Sequence, residues 1–448
     1  MRNRRVTDQC IAHWLAEDAD PRLHLDPETG VNAYGVPPFP QEEVGEWGSA
    51  TASAVSQASF QVLRQWAPMV AENPDRRPIQ ENLARELLRV MGLDAVHYGA
   101  NLYSSGSNAL SRGGQHVLGQ MKNPVLILCQ GSETGSRVPE ALRDALGCTM
   151  AEVIFLPVRT EGGDLIPAAL RDDLCWTQAV HWLKSGRQVL LVLTDGTKTG
   201  QVVPGVDRTR EMVARYPEQL HVLVDACQLR VAWSRVKNYL DWGWPVAITG
   251  SKFVGGPPFS GALLYPRARY HDVGWDGPVL GLGALLRWVA ALTEMKRWHV
   301  VPKEGLGRYL ARFQAALEQR VERWPAVTLE SMPGLERGSD PELWDVHPTI
   351  FPFEVRGPTG HLLEREALEA LYRRLPQAGA GVRGRWGQPV RLGGGGGQGP
   401  ERWALRLCLG ARLLIPWLET LSDDCVTQTL DRCLELLDRT VVEAARIG

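Results

Sequence analysis

Between residues 123 and 264 the chain alternates short apolar runs with longer stretches, and that rhythm limits the fold more than any other feature. Asn123–Cys129 (NPVLILC), Ala151–Val158, Gln188–Leu193 (QVLLVL), His221–Val224 and Val246–Thr249 are each too short for an ordinary helix and almost devoid of charge. A run that is apolar at every position belongs to a strand covered on both faces. The interval Leu165–Lys184 has the length and pattern of a helix. Strands alternating with helices imply an α/β domain with a mostly parallel sheet sandwiched by helices.

The flanks read differently. Residues 1–57 are rich in turn formers, with Asp20-Pro21, Pro27, Gly30, Gly35-Val36-Pro37-Pro38 and Pro40, and are expected to form an extended N-terminal arm with little secondary structure of its own. The run Gly48–Ser53 reads as a helix N-terminus capped by Ser or Thr. Helices are expected over about 54–66 and 79–92, the second from the spacing of Leu83, Leu87, Leu88 and Met91. Residues 58–299 then form the large domain and 300–448 a smaller C-terminal α+β domain. In that second domain Leu306–Val321, Glu364–Arg374 and about 422–445 read as helices, and Thr349–Val355 and Trp403–Gly410 as strands. Gly379–Gln398, with glycines at every position from 393 to 397, is costly to order and reads as a mobile loop.

Composition narrows the function. With 448 residues and a net charge of −2, the chain has ample core and no electrostatic bias toward nucleic acid or an anionic membrane. No apolar run reaches membrane-spanning length, and the basic N-terminus is not followed by a signal-peptide apolar core. Eight cysteines are scattered without a CxxC pair, which argues against a zinc site and for reduced core thiols. A cytoplasmic location is the default expectation.

The chemistry-bearing residues fall at the ends of the apolar runs. Asp225 closes one and Lys252 follows the next. In open α/β sheets, ligands bind outside the carboxyl ends of such strands. A lysine held there can act as an amine nucleophile, and an aspartate aimed at the same space can hold a protonated pyridine nitrogen. Upstream, Ser104-Ser105-Gly106-Ser107-Asn108 joins a strand-like run to a helix and forms a usable phosphate cradle.

Asp225-Ala226-Cys227-Gln228, followed by Thr249-Gly250-Ser251-Lys252-Phe253-Val254-Gly255-Gly256, resembles the fold type I pyridoxal-phosphate enzymes, within them the class V aminotransferase and cysteine desulfurase group. That group carries an Asp-Ala-x-Gln strand end and then a Ser-x-His-Lys-x-x-Gly-Pro turn. Thr249 stands at its Ser and Ser251 at its His, and both keep a hydroxyl for the cofactor phosphate. The resemblance covers about 60–445 and implies a seven-stranded-type sheet and a homodimer. It implies that Lys252 forms the imine with pyridoxal 5'-phosphate, Asp225 pairs with the pyridinium nitrogen and Gln228 touches the ring hydroxyl. Gly106, Ser107 and Asn108 fall on the group's phosphate-binding element, and Arg406 takes the place of its substrate-carboxylate clamp. Thr134 stands where the group has the His that stacks on the ring.

The same likeness implies an enzyme acting on an amino acid through an external aldimine. Gly379–Pro400 holds no cysteine where a desulfurase has its nucleophile, so persulfide formation is not expected. Transamination ranks first. A lyase that eliminates or replaces a side-chain substituent ranks second, and a non-catalytic scaffold is the competing class. Lys198, beside Thr199-Gly200 and Pro204, reads first as a surface turn lysine and second as a substrate or phosphate contact. Arg383, Arg385 and Arg391 in the Gly-rich loop read first as a solvated basic loop and second as a partner for an acidic or phosphorylated substrate.

Overall fold

The computed structural model describes residues 6–16, 20–28, 30–40, 53–135, 137–145, 152–270, 278–338, 343–375, 385–394 and 400–447. Two sheets organise the chain. The first holds β1 (Tyr98–Tyr103), β2 (Pro124–Cys129), β3 (Glu152–Leu156), β4 (Gln188–Asp195), β5 (Val202–Val203), β6 (Leu220–Ala226), β7 (Val246–Thr249) and β8 (Gly261–Pro266). Its order is β1-β8-β7-β6-β4-β2-β3, with the two-residue β5 paired to β4. The pairs β7–β6, β6–β4, β4–β2 and β2–β3 are parallel, whereas β8 runs antiparallel to both β7 and β1.

The apolar runs are covered on both faces, as their composition requires. Leu126 and Leu128 of β2 pack with Leu110, Val117 and Leu142 from the helices Gly106–Leu118 and Val138–Ala145. Val125, Ile127 and Cys129 face the other way, onto Cys175, Ala179 and Leu183 of the helix Ala168–Lys184. Gly113 lets the helix Gly106–Leu118 lie close on the sheet, because a Cβ there would come within 2.9 Å of Leu223. The helix Leu282–Val300 is buried on nearly all sides, between Gln57–Glu72 and Arg77–Val90.

The second sheet is antiparallel, in the order β11-β12-β10-β9, from β9 (Val327–Leu329), β10 (Ile350–Val355), β11 (Gly387–Gly393) and β12 (Arg402–Cys408). Leu310, Phe313 and Leu317 of the helix Leu306–Val321 are buried in its core. The helices Arg365–Arg374, Ala411–Thr420 and Asp423–Ile447 complete this unit.

Two local expectations are corrected. The arm carries a helix, Asp8–Ala16, whose Ile11, Ala12 and Leu15 are buried. The Arg287 guanidinium donates to the Leu15 carbonyl at 2.9 Å, tying that helix down. The Gly-rich segment is also not a loop throughout, since β11 lies within it. Val390 and Leu392 bury against Ala404 of β12, and that packing offsets the cost of ordering the strand's own Gly387 and Gly393. Arg383 and Gly48–Ala52 lie outside the described residues. Ser56 is the N-cap ahead of Gln57, its hydroxyl accepting from Ser59 N at 3.0 Å.

Buried ion pairs hold the two sheets together. Arg337 reaches Asp195 at the end of β4, and Tyr239 donates to the same carboxylate at 2.8 Å. Arg159 bridges Glu133 at 3.0 Å and Glu330 at 2.7 Å, and Glu330 also pairs with Arg402 at 3.0 Å.

Candidate active site

A cleft of about 620 Å³ opens at the carboxyl ends of β4, β6 and β7. The crossover order puts Asp225 and Lys252 on its wall. β6 and β7 are parallel neighbours, Asp225 lies in register with Ala247, and Lys252 follows three residues after β7 ends at Thr249. Asp225 is buried, accepting from Cys227 N at 3.1 Å. Burial pushes its carboxyl pKa upward, and the nearby Lys252 and the Cys227 amide pull it partly back. Lys252 is half-buried and lines the same cleft.

The sequence-predicted residues converge with one exception. Gly106, Ser107, Thr134, Asp225, Gln228, Thr249, Ser251, Lys252 and Arg406 all line the cleft. Asn108 does not. It is exposed, its side-chain amide donates to Ser104 Oγ at 2.8 Å, and its backbone N–H donates to the N-cap Ser105 at 3.2 Å. Thr249 lies on the wall, but its hydroxyl hydrogen goes to the Cys227 carbonyl at 2.6 Å, which leaves it only acceptor capacity.

Two features of this wall call for a bound polar group. Thr134 Oγ1, Thr194 Oγ1 and Gln228 Oε1 are buried and find no hydrogen-bond partner among the described residues. Leaving such groups unmade costs about 1–3 kcal/mol each. Gly106 also opens a cradle at the start of the helix Gly106–Leu118. A Cβ there would sit 2.7 Å from both Cys227 Sγ and Thr249 Cγ2. The first N–H groups of that helix have no intrahelical partner and suit an anion.

Arg406 enters from β12 of the second sheet. It is buried, and that burial lowers its pKa. Its Nε donates to the Gln388 carbonyl at 3.0 Å, and its Nη1 donates to the Lys198 carbonyl at 3.2 Å. Lys198 is not a surface lysine. It is half-buried on the cleft wall, and its amine donates to the Ser132 carbonyl at 3.1 Å. Burial, then Arg406 and Lys252, lower its pKa to about 8, while Glu133 opposes them. Glu133 is itself committed to Arg159 and to the Thr199 hydroxyl at 2.7 Å.

Sequence reasoning missed the mouth. Arg22 and Tyr34 come from the arm, Phe259 from the turn after Lys252, and Tyr372 and Trp403 from the second unit. The Tyr34 and Phe259 rings lie 6.3 Å apart, with the Arg22 guanidinium 5.3 Å from the Phe259 centroid. Phe259 has φ of +66°, a strained value for a bulky residue, and its carbonyl accepts from Arg287 at 3.2 Å. No local sequence signal marks these positions, because distant segments assemble them. Arg385 and Arg391 stay off the cleft wall. Arg385 donates to the Tyr34 carbonyl at 2.9 Å, and Arg391 pairs with Glu401 at 3.3 Å.

No family model and no curated protein matches the chain by sequence. Solved structures do match in fold. Rhodiola rosea 4-hydroxyphenylacetaldehyde synthase is similar over 98% of this chain and 92% of its own, at 13% identity and a TM-score of 0.55. Oryza sativa TDC, solved with PLP, is similar over 90% and 83%, at 16% identity and 0.53. The cysteine desulfurase CsdA of Escherichia coli is similar over 88% and 95%, at 13% identity and 0.55. The fold is therefore that of the fold type I pyridoxal-phosphate enzymes.

Proposed function

We propose that this chain is a pyridoxal-phosphate-dependent enzyme acting on an amino acid, and in particular an aminotransferase. The observation that carries the reading is the placement of Asp225 and Lys252 beyond adjacent parallel strands, on a wall where three buried oxygens lack partners among the described residues. The donor set fits the cofactor. Ser107, Ser251 and the first amides of the helix at Gly106 would hold its phosphate, and Gln228 its ring hydroxyl. When bound, pyridoxal phosphate supplies an aldehyde that condenses with amines and a ring that withdraws electrons from the bonds at the substrate Cα.

The side chains do the rest. Asp225 holds a proton on the ring nitrogen, and that cation relieves the cost of its own burial. Lys252 is the amine that anchors the aldehyde and then moves a proton at Cα. Arg406, already fixed by two carbonyls, takes the α-carboxylate. A carboxylate gripped this way stays on the substrate, which favours transfer of the amino group over loss of carbon dioxide. Thr134 closes the cleft beside the ring in place of an aromatic side chain. No helix among the described residues is long and apolar enough to cross a membrane. A cytoplasmic homodimer is proposed as the working assembly from the resemblance alone.

A second reading, a lyase, is favoured by the Catharanthus roseus tryptophan decarboxylase structure, solved in complex with L-tryptophan, among the similar folds. One experiment separates the readings. The protein is loaded with pyridoxal phosphate, and a panel of amino acids is added under spectral observation. A keto acid formed together with the pyridoxamine form of the cofactor indicates transamination. Release of ammonia or carbon dioxide indicates a lyase. A protein that takes up no cofactor refutes both and leaves the scaffold.

A further inference from the structure

We infer that the cleft takes an amino acid whose side chain carries a second anion, a carboxylate or a phosphate, recognised by Lys198 inside and by Arg137, Arg365 and Arg373 at the mouth. This rests on the proposed function for the amino-acid ligand and for the roles of Asp225, Lys252 and Arg406.

The argument is one of charge and commitment. Three cations face the inner cleft: Lys198, Lys252 and Arg406. Lys252 and Asp225 serve the cofactor, and Arg406 serves the α-carboxylate. Lys198 has no such assignment, and among the described residues no carboxylate is in ion-pair contact with its amine. Among the described residues its one hydrogen bond goes to the Ser132 carbonyl, which leaves two of its three donors for a ligand. Glu133, the carboxylate whose charge favours the protonated amine, already serves Arg159 and Thr199. An amine held beside Arg406 and Lys252 is costly to keep charged, as its depressed pKa shows, and an anionic ligand offsets that cost.

The mouth repeats the imbalance. Asp20 is shared by Arg22 at 2.7 Å and Arg137 at 3.2 Å, and Glu369 by Arg365 at 2.8 Å and Arg373 at 3.7 Å. Four guanidinium groups thus face two carboxylates around one opening. Arg137, Arg365 and Arg373 are more than half exposed, so by themselves they would be solvated. Their service is to draw an anion toward Lys198, where burial makes the contact count.

The test compares succinate with butyrate by calorimetry on the cofactor-loaded protein. One charge-assisted contact makes succinate about tenfold tighter. Lys198→Met should remove that margin and leave butyrate within about twofold. The exposed pair Arg365→Ser/Arg373→Ser, which does not disturb the core, should weaken succinate and flatten its salt dependence. Aspartate, glutamate and O-phosphoserine are then compared with alanine in the visible spectrum, which tells carboxylate from phosphate. Succinate no tighter than butyrate, or Lys198→Met indistinguishable from the parent, overturns the inference. Failure to take up the cofactor defeats the proposed function instead, and the succinate comparison is still read on the protein as purified.

Discussion

Arg406 donates to the main-chain carbonyl of Lys198 at 3.2 Å, so the second sheet and the turn after β4 meet at one point of the cleft wall. The consequence is electrostatic. Burial first, then the facing Arg406 and Lys252, with Glu133 and Cys129 opposing, lower the Lys198 amine pKa from 10.5 to about 8. An anion binds the protonated amine. Affinity for succinate should therefore be constant well below pH 8 and fall as pH rises through about 8. Calorimetry across pH 6.5–9.5 checks this, the loss levelling off at about tenfold, the margin that the charged amine contributes. In Lys198→Met the profile should be flat.

Replacing Lys252 with Ala removes the amine that anchors the cofactor. The variant should lose the yellow absorption band of the loaded protein and lower turnover by more than about a hundredfold. Visible spectroscopy after dialysis against excess cofactor reads the first, and keto-acid formation the second. Unaltered colour would refute the role given to Lys252.

Gly106→Ala places a methyl 2.7 Å from Cys227 Sγ and Thr249 Cγ2. Overpacking of this kind costs about 1–3 kcal/mol. The new methyl also fills the phosphate cradle. We expect a small loss of stability and weakening of cofactor affinity by at least about tenfold, measured by absorbance titration.

Arg159→Leu leaves Glu133 buried without its cation and takes one arm from Glu330. Breaking a buried pair in this way costs about 3–5 kcal/mol. The urea midpoint should fall markedly. Because Glu133 also holds Thr199 beside the Lys198 turn, succinate binding should weaken with it. The double change Arg159→Leu/Glu133→Leu should recover part of the stability and none of the binding.

Much of the fold could be read from local pattern. β2, β4, β6 and β7 declare themselves because each is apolar on both faces, and the ends of β6 and β7 carry Asp225 and Lys252 to one sheet edge. What escaped the sequence is long-range. β11 hides in a Gly-rich segment because its stability comes from Ala404 across the strand pair. Lys198 sits in a turn whose residues look solvent-facing, and only the approach of β12 from over 200 residues away buries it. Asn108 matches a motif position yet turns outward, because Ser104 and Ser105 engage its amide groups locally. Arg22, Tyr34 and Tyr372 had no motif to betray them.

Part of the cleft's outer rim is supplied by the leading segment of the chain, far in sequence from the residues that do the chemistry. Tyr34 lines the opening, and its carbonyl is held by Arg385 at 2.9 Å and by the Tyr372 hydroxyl at 3.3 Å. A hybrid that spliced another protein's leading segment onto this one would inherit Asp225, Lys252 and Lys198 intact while exchanging Arg22 and Tyr34 at the rim. The shape of the opening could then be altered by swapping some forty leading residues, with the reactive groups and the anion contact left untouched.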